Sequence, residues 1–324
     1  MKAVVCTQFG PPEALVIRDM EEPVAGTNQL VIDVRAAAVT FPDTLMLENK
    51  YQFKASPPYI PGGEVAGVVS AIGTEVSGFS IGDRVTGSGG LVGGFAQQVA
   101  IDAKSARKLP DEAGFGESTG LMYAYGTGYY GLKYRGNLKQ GETLLVLGAG
   151  GSVGMAAVEL GKLMGARVIA AASSEEKLAL CRARGADETI NYQEEKLKER
   201  AKELTGGKGV DVIYDAVGGD YAESALRAIA WNGRFLVIGF TAGIPAIPLN
   251  LYLLKSCQVI GVFLGAMLAR DPLTKDEIQK DLLGFMASGE LRPHISQRYS
   301  LQEAPGALRD MMDRKLVGKV IIEP

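Results

Sequence analysis

Apolar residues up to about residue 120 come in short runs: 30–34, 65–71, 84–85 and 96–101. Turn signals separate them, among them Pro61-Gly62-Gly63, Ser77-Gly78, Gly82-Asp83 and the run Gly87-Ser88-Gly89-Gly90. Short strands with glycine-rich turns predict a β-rich barrel or sandwich. Near residue 120 the pattern changes. From Thr143 onward, strands at 143–147, 167–171, 189–192, 210–214, 234–238 and 258–262 alternate with helical stretches. Val153, Ala156, Ala157, Leu160 and Met164 recur at helical spacing after the first strand. Ser173-Ser174 with Glu175 and Glu176 starts the next helix, and Gly185 stops it. Further helices are expected at 194–204, 221–230 and 248–255. Such a βαβ series demands a parallel sheet covered on both faces, and six strands allow the doubly wound nucleotide-binding fold. After 263 come helices near 274–288 and 303–313 and a last strand at 320–322. This tail is too small for a core of its own. It is expected to pack back onto the N-terminal part, which makes the α/β unit an insertion. The expected division is 1–120 with 264–324 for the β-rich domain and 121–263 for the α/β domain.

The sharpest motif is Leu147-Gly148-Ala149-Gly150-Gly151-Ser152-Val153-Gly154, which follows the first α/β strand and opens its helix. A strict G-x-G-x-x-G spacing from Gly148 and Gly150 would need glycine at Val153; the spacing that works is Gly148, Gly151, Gly154. Glycine permits the tight turn and lets a diphosphate approach the backbone, and the helix N-terminus offers free N–H groups. An NAD enzyme usually carries an acid at the end of its second strand. Here that strand runs out through Ala171-Ala172-Ser173-Ser174. Small hydroxyls there leave room for a 2′-phosphate, Lys177 is within reach of it, and Tyr192 can close over it. Glu175 and Glu176 are read as first-turn carboxylates pointing away. The expected cofactor is NADPH rather than NADH.

Composition narrows the function classes. With 324 residues, two domains are expected. Lys and Arg number 34 against 37 Asp and Glu, and no basic run stands out, which argues against a nucleic-acid partner. The apolar run at residues 1–6 is too short for a signal segment, and no stretch is long enough to span a membrane. The expectation is a cytoplasmic protein with no membrane partner. Cys6, Cys181 and Cys257 are scattered, and His294 is the only histidine. Neither a disulfide framework nor a catalytic zinc set is suggested, and no metal site is expected.

The chain resembles the zinc-free quinone oxidoreductase (zeta-crystallin-like) branch of the medium-chain dehydrogenase/reductase superfamily over essentially its whole length. The resemblance is carried by residues 61–69 (Pro-Gly-Gly-Glu-Val-Ala-Gly-Val-Val), Gly82-Asp83-Arg84-Val85, residues 138–142 before the glycine loop, residues 233–239, residues 261–265 and Gly318-Lys319-Val320. It implies a GroES-like catalytic domain and a Rossmann domain with the cofactor in the cleft between them. It also implies homodimers that pair sheet edges near the sixth α/β strand. Zinc alcohol dehydrogenases of the superfamily carry a histidine where this chain has Gly63.

By the same resemblance, Thr127 lies near the nicotinamide or its phosphates, Val217 and Gly218 lie by the ribose, and Gly239, Phe240, Phe263, Leu264 and Gly265 line the nicotinamide side. Lys319 lies near the cleft. Thr40 and Tyr51 are the nearest candidates to polarise or protonate a substrate, although many members have Asn where Thr40 stands. Asp43 is read as a cap of local backbone. Tyr123, Tyr125, Tyr129 and Tyr130 are read as helical packing, an aromatic substrate site being the alternative. Three functions stay open: NADPH-dependent reduction of a quinone, reduction of α,β-unsaturated ketones or enoyl thioesters, and NADPH binding with little turnover in a structural or sensor role.

Overall fold

β1 (Lys2–Val5) and β2 (Val16–Asp19) pair antiparallel in a two-stranded sheet. Val, Ile and Ala dominate residues 29–38, and they form β3 (Gln29–Ala38), the spine of a larger sheet. Pro42 at the start of the next segment ends extended structure and opens α1 (Phe41–Leu47). There follow β4 (Glu64–Ile72), β5 (Arg84–Ser88), β6 (Gln98–Asp102), β7 (Arg107–Lys108) and a single turn, α2 (Phe115–Ser118). β3 pairs antiparallel with both β4 and β6.

The chain then enters a π-helical stretch at Leu121–Gly126. It passes through α3 (Thr127–Tyr129) and continues π-helical over Tyr130–Arg135. β8 (Thr143–Leu147), α4 (Ser152–Leu163), β9 (Arg167–Ala172), α5 (Glu175–Ala183), β10 (Glu188–Asn191), α6 (Leu197–Leu204), β11 (Val210–Asp215), α7 (Gly219–Leu226), β12 (Ile229–Val237), α8 (Asn250–Lys255) and β13 (Gln258–Gly261) come next. All strand pairs in this sheet are parallel, in the order β10-β9-β8-β11-β12-β13. That is the doubly wound order in which the chain reverses direction at β8. Leu144, Leu145, Val146 and Leu147 are fully buried, as strands covered on both faces must be.

α9 (Leu264–Arg270) and α10 (Pro272–Ser288) complete this part. β14 (Ile295–Ser300), α11 (Ala304–Met312) and β15 (Lys319–Glu323) return to the first sheet, where β15 pairs antiparallel with β3. The computed structural model describes all of residues 1–324. They form two units: Met1–Leu121 with Met286–Pro324, and Met122–Phe285. Each has its own core, one around Leu30, Ile32, Phe95 and Ile322, the other around Leu145, Leu147, Ile169 and Ile213. No helix is long and apolar enough to cross a membrane.

Three local features differ from the sequence reading. The second unit runs on to Phe285 instead of stopping at 263. A polar and aromatic clamp holds α10 there: Tyr129 Oη donates to Asp281, Lys133 Nζ lies 3.0 Å from Asp281, Tyr134 Oη donates to Glu277, and Phe285 packs edge-on to Tyr129. The helix expected at 221–230 ends at Leu226, because Ile229 is already paired with Val210 in the sheet. Asn232 then takes a left-handed turn within β12. β14 carries a polar, half-exposed sequence with no apolar run, and it forms by pairing with β15.

The π-helical stretch also anchors α4. Tyr125 Oη donates to Glu159 Oε2 at 2.8 Å, and Arg184 Nε donates to the other carboxylate oxygen. Glu159 is buried, so its removal strands a phenol and a guanidinium with less solvent than they need. Glu159→Ala is expected to cost about 2–3 kcal/mol in a urea melt.

Candidate functional site

The turn between β8 and α4 is built by glycines with separate steric jobs. Gly148 has φ +68°, a left-handed conformation that a side chain resists, and it lies beneath Val217. A Cβ on Gly154 would stand 2.2 Å from Gly148 O, so only glycine lets α4 start this close to the strand. Gly150 lies under the Lys177 stem, which an added Cβ would meet at 2.6–2.8 Å. Gly151, the N-cap of α4, is different: the nearest atom to its Cβ position is Gly148 O at 3.6 Å. The turn is therefore closed from within and open at Gly151. The amides of Ala149 and Gly151 are taken by Ala171 O and Gly148 O. Those of Ser152, Val153 and Gly154 begin the helix, where no preceding turn supplies acceptors. An anion at this opening meets N–H groups and the positive end of a 12-residue helix.

Beside the turn, β9 ends at Ala172 with no acidic residue. Ser174 caps α5, its Oγ accepting from Lys177 N at 3.4 Å. Lys177 Nζ lies 3.5 Å from Ser173 Oγ. Ser173, Lys177 and Gly150 thus form one wall: a hydroxyl, an ammonium and a glycine. Glu175 turns away and pairs with Arg182. Tyr192, just after β10, stacks on Tyr221 with ring centroids 4.5 Å apart.

Around the end of β11, the buried Asp215 accepts from the amides of Val217 and Gly218 at 2.8 and 2.9 Å. Burial pushes its carboxyl up despite these bonds. Asp215 shapes the loop; Phe240 packs on Gly218, and Gly239 follows Ile238 in the same connection. A cavity of about 460 Å³ beyond Gly219 is lined by Asp220, Glu223 and residues 242–246. Its carboxylates repel phosphate, so a diphosphate is better served by the amides at Gly151–Gly154. Thr127 Oγ1 donates to Tyr123 O at 2.6 Å. At the start of α9, Leu264 is buried against the Gly126 region while Phe263 and Gly265 face solvent within this unit.

Thr40, Tyr51 and Lys319 belong to the other unit. Lys319 is 6% exposed, and its Nζ donates to Glu117 O at 2.7 Å, so part of its role is to tie β15 to α2. Tyr51 is half-buried, and burial followed by the nearby Asp43 charge pushes its phenol up. Thr40 is the N-cap of α1. Its amide and its Oγ1 both donate to Asp43 Oδ2, at 2.8 and 2.7 Å, while Gly62 N donates to Oδ1 at 3.1 Å. Asp43 caps backbone, as expected, but it also binds a side-chain hydroxyl named as a candidate. Burial raises its carboxyl to about 6, against the lowering effect of the Thr40 and Gly62 donors. Since the folded pKa lies above that of an exposed carboxyl, the stability contributed by the neutral form is lost as pH rises toward about 6. Nowhere do three or more His, Cys, Asp or Glu side chains gather at a point that could hold a metal ion.

Residues 26–111 match the alcohol dehydrogenase GroES-like domain family, and residues 152–288 match the zinc-binding dehydrogenase family. A quinone oxidoreductase-like protein 2 homolog of Nematostella vectensis is 39% identical over 99% of this chain and 88% of its own length. A quinone oxidoreductase of Pseudomonas aeruginosa is 33% identical over 100% of this chain and 99% of its own. The chain belongs to the quinone oxidoreductase branch of the medium-chain dehydrogenase/reductase superfamily. Among solved structures, the Escherichia coli quinone oxidoreductase complexed with NADPH superposes with a TM-score of 0.91 at 29% identity, covering 100% of both chains. Membership accounts for the β-rich unit and the parallel-sheet unit together, and it makes this branch member an oxidoreductase. The sequence missed Asp43 as a partner of Thr40; the Thr40-x-x-Asp43 spacing at a helix start was the available signal.

Proposed function

We propose that this oxidoreductase transfers hydride from NADPH to a quinone. The observation that carries the reading is the open glycine turn at α4 flanked by Ser173 and Lys177, with no acid at the end of β9. Gly148, Gly150, Gly151, Ser152, Val153 and Gly154 are proposed to hold the diphosphate. Ser173, Ser174, Lys177 and Tyr192 are proposed to hold the 2′-phosphate side. Thr127, Val217, Gly239, Phe240, Phe263, Leu264, Gly265 and Lys319 are proposed to line the rest, with Thr40 and Tyr51 toward the acceptor.

The reduced nicotinamide supplies hydride; the chain supplies position, and hydrogen-bond donors for the acceptor oxygen that gains charge. Stopped-flow NADPH oxidation across quinones, enones and enoyl thioesters tests this. Quinones are expected to be reduced fastest; turnover confined to enones or thioesters would reassign the substrate class. Tyr51→Phe separates two roles for that phenol. A proton donor loses turnover, whereas a wall residue leaves it within about threefold, because the apolar ring stays.

The assembly is proposed to be a homodimer joined along β13. β13 is the edge of the parallel sheet with Val259 half-exposed, and Leu249, Leu253 and Leu254 on and before α8 are 64–82% exposed. An unpaired edge beside an apolar patch is a pairing surface. Val259→Lys combined with Leu253→Glu is expected to give monomers by light scattering, while wild type runs as dimers.

A further inference from the structure

Asp43 is 3% exposed and pairs with no cation; all its partners are neutral donors. Burying a carboxylate among neutral groups is costly, so the position asks for a purpose beyond capping. Other ionisable groups stand on the elements around it; on α11, which packs against α1, Arg309 pairs with Glu13 and Asp310 accepts from Tyr299, and Asp313 just beyond it pairs with Lys315. The phenols of Tyr51 and Tyr59 both register its charge. Cys6 lies by Tyr59. Glu48 pairs with Lys50 at the surface, and Lys54 donates to Asn49 O. Glu64 opens β4 and is buried. No other acidic group shares the Thr40 hydroxyl.

We propose that Asp43 is a positioning residue of the reductase that sets whether the Thr40 hydroxyl accepts or donates a hydrogen bond toward the acceptor. This rests on the reading of Thr40 as facing the acceptor. With Asp43 ionised, the Thr40 proton is turned onto Oδ2, and the oxygen offers only lone pairs. With Asp43 protonated at Oδ2, the carboxyl proton points at Thr40 Oγ1 across the same 2.7 Å, and Oδ2 keeps one lone pair for the Thr40 amide. The Thr40 proton is then free to face outward. When the acceptor carbon takes up hydride, the electron pair displaced onto its oxygen is met by the Thr40 proton. Thr40 Oγ1 takes the Asp43 proton, and Asp43 is left as the carboxylate, to be reprotonated from water. The single Oγ1–Oδ2 bond therefore carries one proton per hydride.

The coupling is tested first without turnover. The Asp43 carboxyl carbon is followed by NMR in the full-length protein, its resonance assigned by through-bond correlation to the Asp43 backbone. It is expected to titrate near 6 in wild type. Thr40→Val removes one stabilising donor and is expected to raise that midpoint by about one pH unit, while Thr40→Ser leaves it in place. Single-turnover NADPH oxidation by benzoquinone is expected to quicken as pH falls through the same midpoint. Thr40→Val is expected to remove the acid limb and slow the reaction about tenfold below it, and Thr40→Ser to retain both. A carboxyl that titrates in the ordinary carboxylate range, a midpoint unmoved by Thr40→Val, or an acid limb that survives in that variant overturns the proposal. Should wild type oxidise no NADPH with any quinone, the reductase reading fails, and the carboxyl titration alone decides the Asp43–Thr40 coupling. Asp43→Asn places an amide donor against a backbone N–H and risks misfolding; Thr40→Val leaves the carboxylate and two of its donors in place.

Discussion

Gly154→Val is expected to abolish NADPH binding, while Gly151→Ala keeps the fold and weakens binding. The contrast follows from the space around each residue. A Cβ on Gly154 would overlap Gly148 O at 2.2 Å and Gly148 C at 2.7 Å, both backbone atoms that cannot swing aside. The start of α4 must then lift from the end of β8, which moves the amides of residues 152–154 away from any diphosphate. Overpacking of this kind costs about 1–3 kcal/mol of stability. The larger loss is affinity, since several N–H donors to a charged group go together, each worth roughly 1.5–3 kcal/mol. At Gly151 a methyl meets only Gly148 O, at ordinary contact distance. Gly151→Ala therefore leaves the melting temperature nearly unchanged, and its methyl stands in the opening itself. Isothermal titration with NADPH, beside thermal melts, separates the two effects. Equal NADPH affinity in wild type and both variants would remove the turn from the binding site.

That contrast was only half legible in the sequence. The glycine run, its place between strand and helix and the failure of the strict G-x-G-x-x-G spacing could all be read from residues 147–154. Which glycine closes the turn and which leaves it open could not, because that depends on how α4 approaches β8. The inner α/β strands were legible because buried parallel strands are continuous apolar runs, as at 143–147. β14 was not, since Ile-Ser-Gln-Arg-Tyr-Ser carries no such run and exists through its pairing with β15. The extent of the second unit was hidden for a similar reason. Tyr129, Lys133 and Tyr134 find Asp281, Glu277 and Phe285 143 to 156 residues later. Local pattern cannot announce contacts of that separation. Thr40 and Asp43 sit three residues apart, and their bond was open to inference. The burial that gives it consequence was not.

Lys177→Ala together with Ser173→Ala is expected to weaken NADPH on the order of 100-fold while leaving NADH within about threefold, as judged from a charged hydrogen bond of roughly 1.5–3 kcal/mol and 1.4 kcal/mol per decade. The two cofactors differ only at the 2′ position, so any group that acts on the diphosphate shifts both alike. Lys177 is suited to act on the difference. Its amide is fixed by the Ser174 cap, its stem lies over Gly150, and its ammonium is held beside Ser173 Oγ. A cation placed in advance loses little freedom when it meets a phosphate. Glu175, two residues before it, is drawn off by Arg182. The ratio of the two kcat/KM values in the double variant is the measurement. If both cofactors weaken together, Lys177 serves the diphosphate or the fold of α5, and selectivity lies elsewhere. If Lys177→Arg restores NADPH, a positive charge at this point on the wall is what recognises the extra phosphate, since the guanidinium keeps the charge and changes the shape.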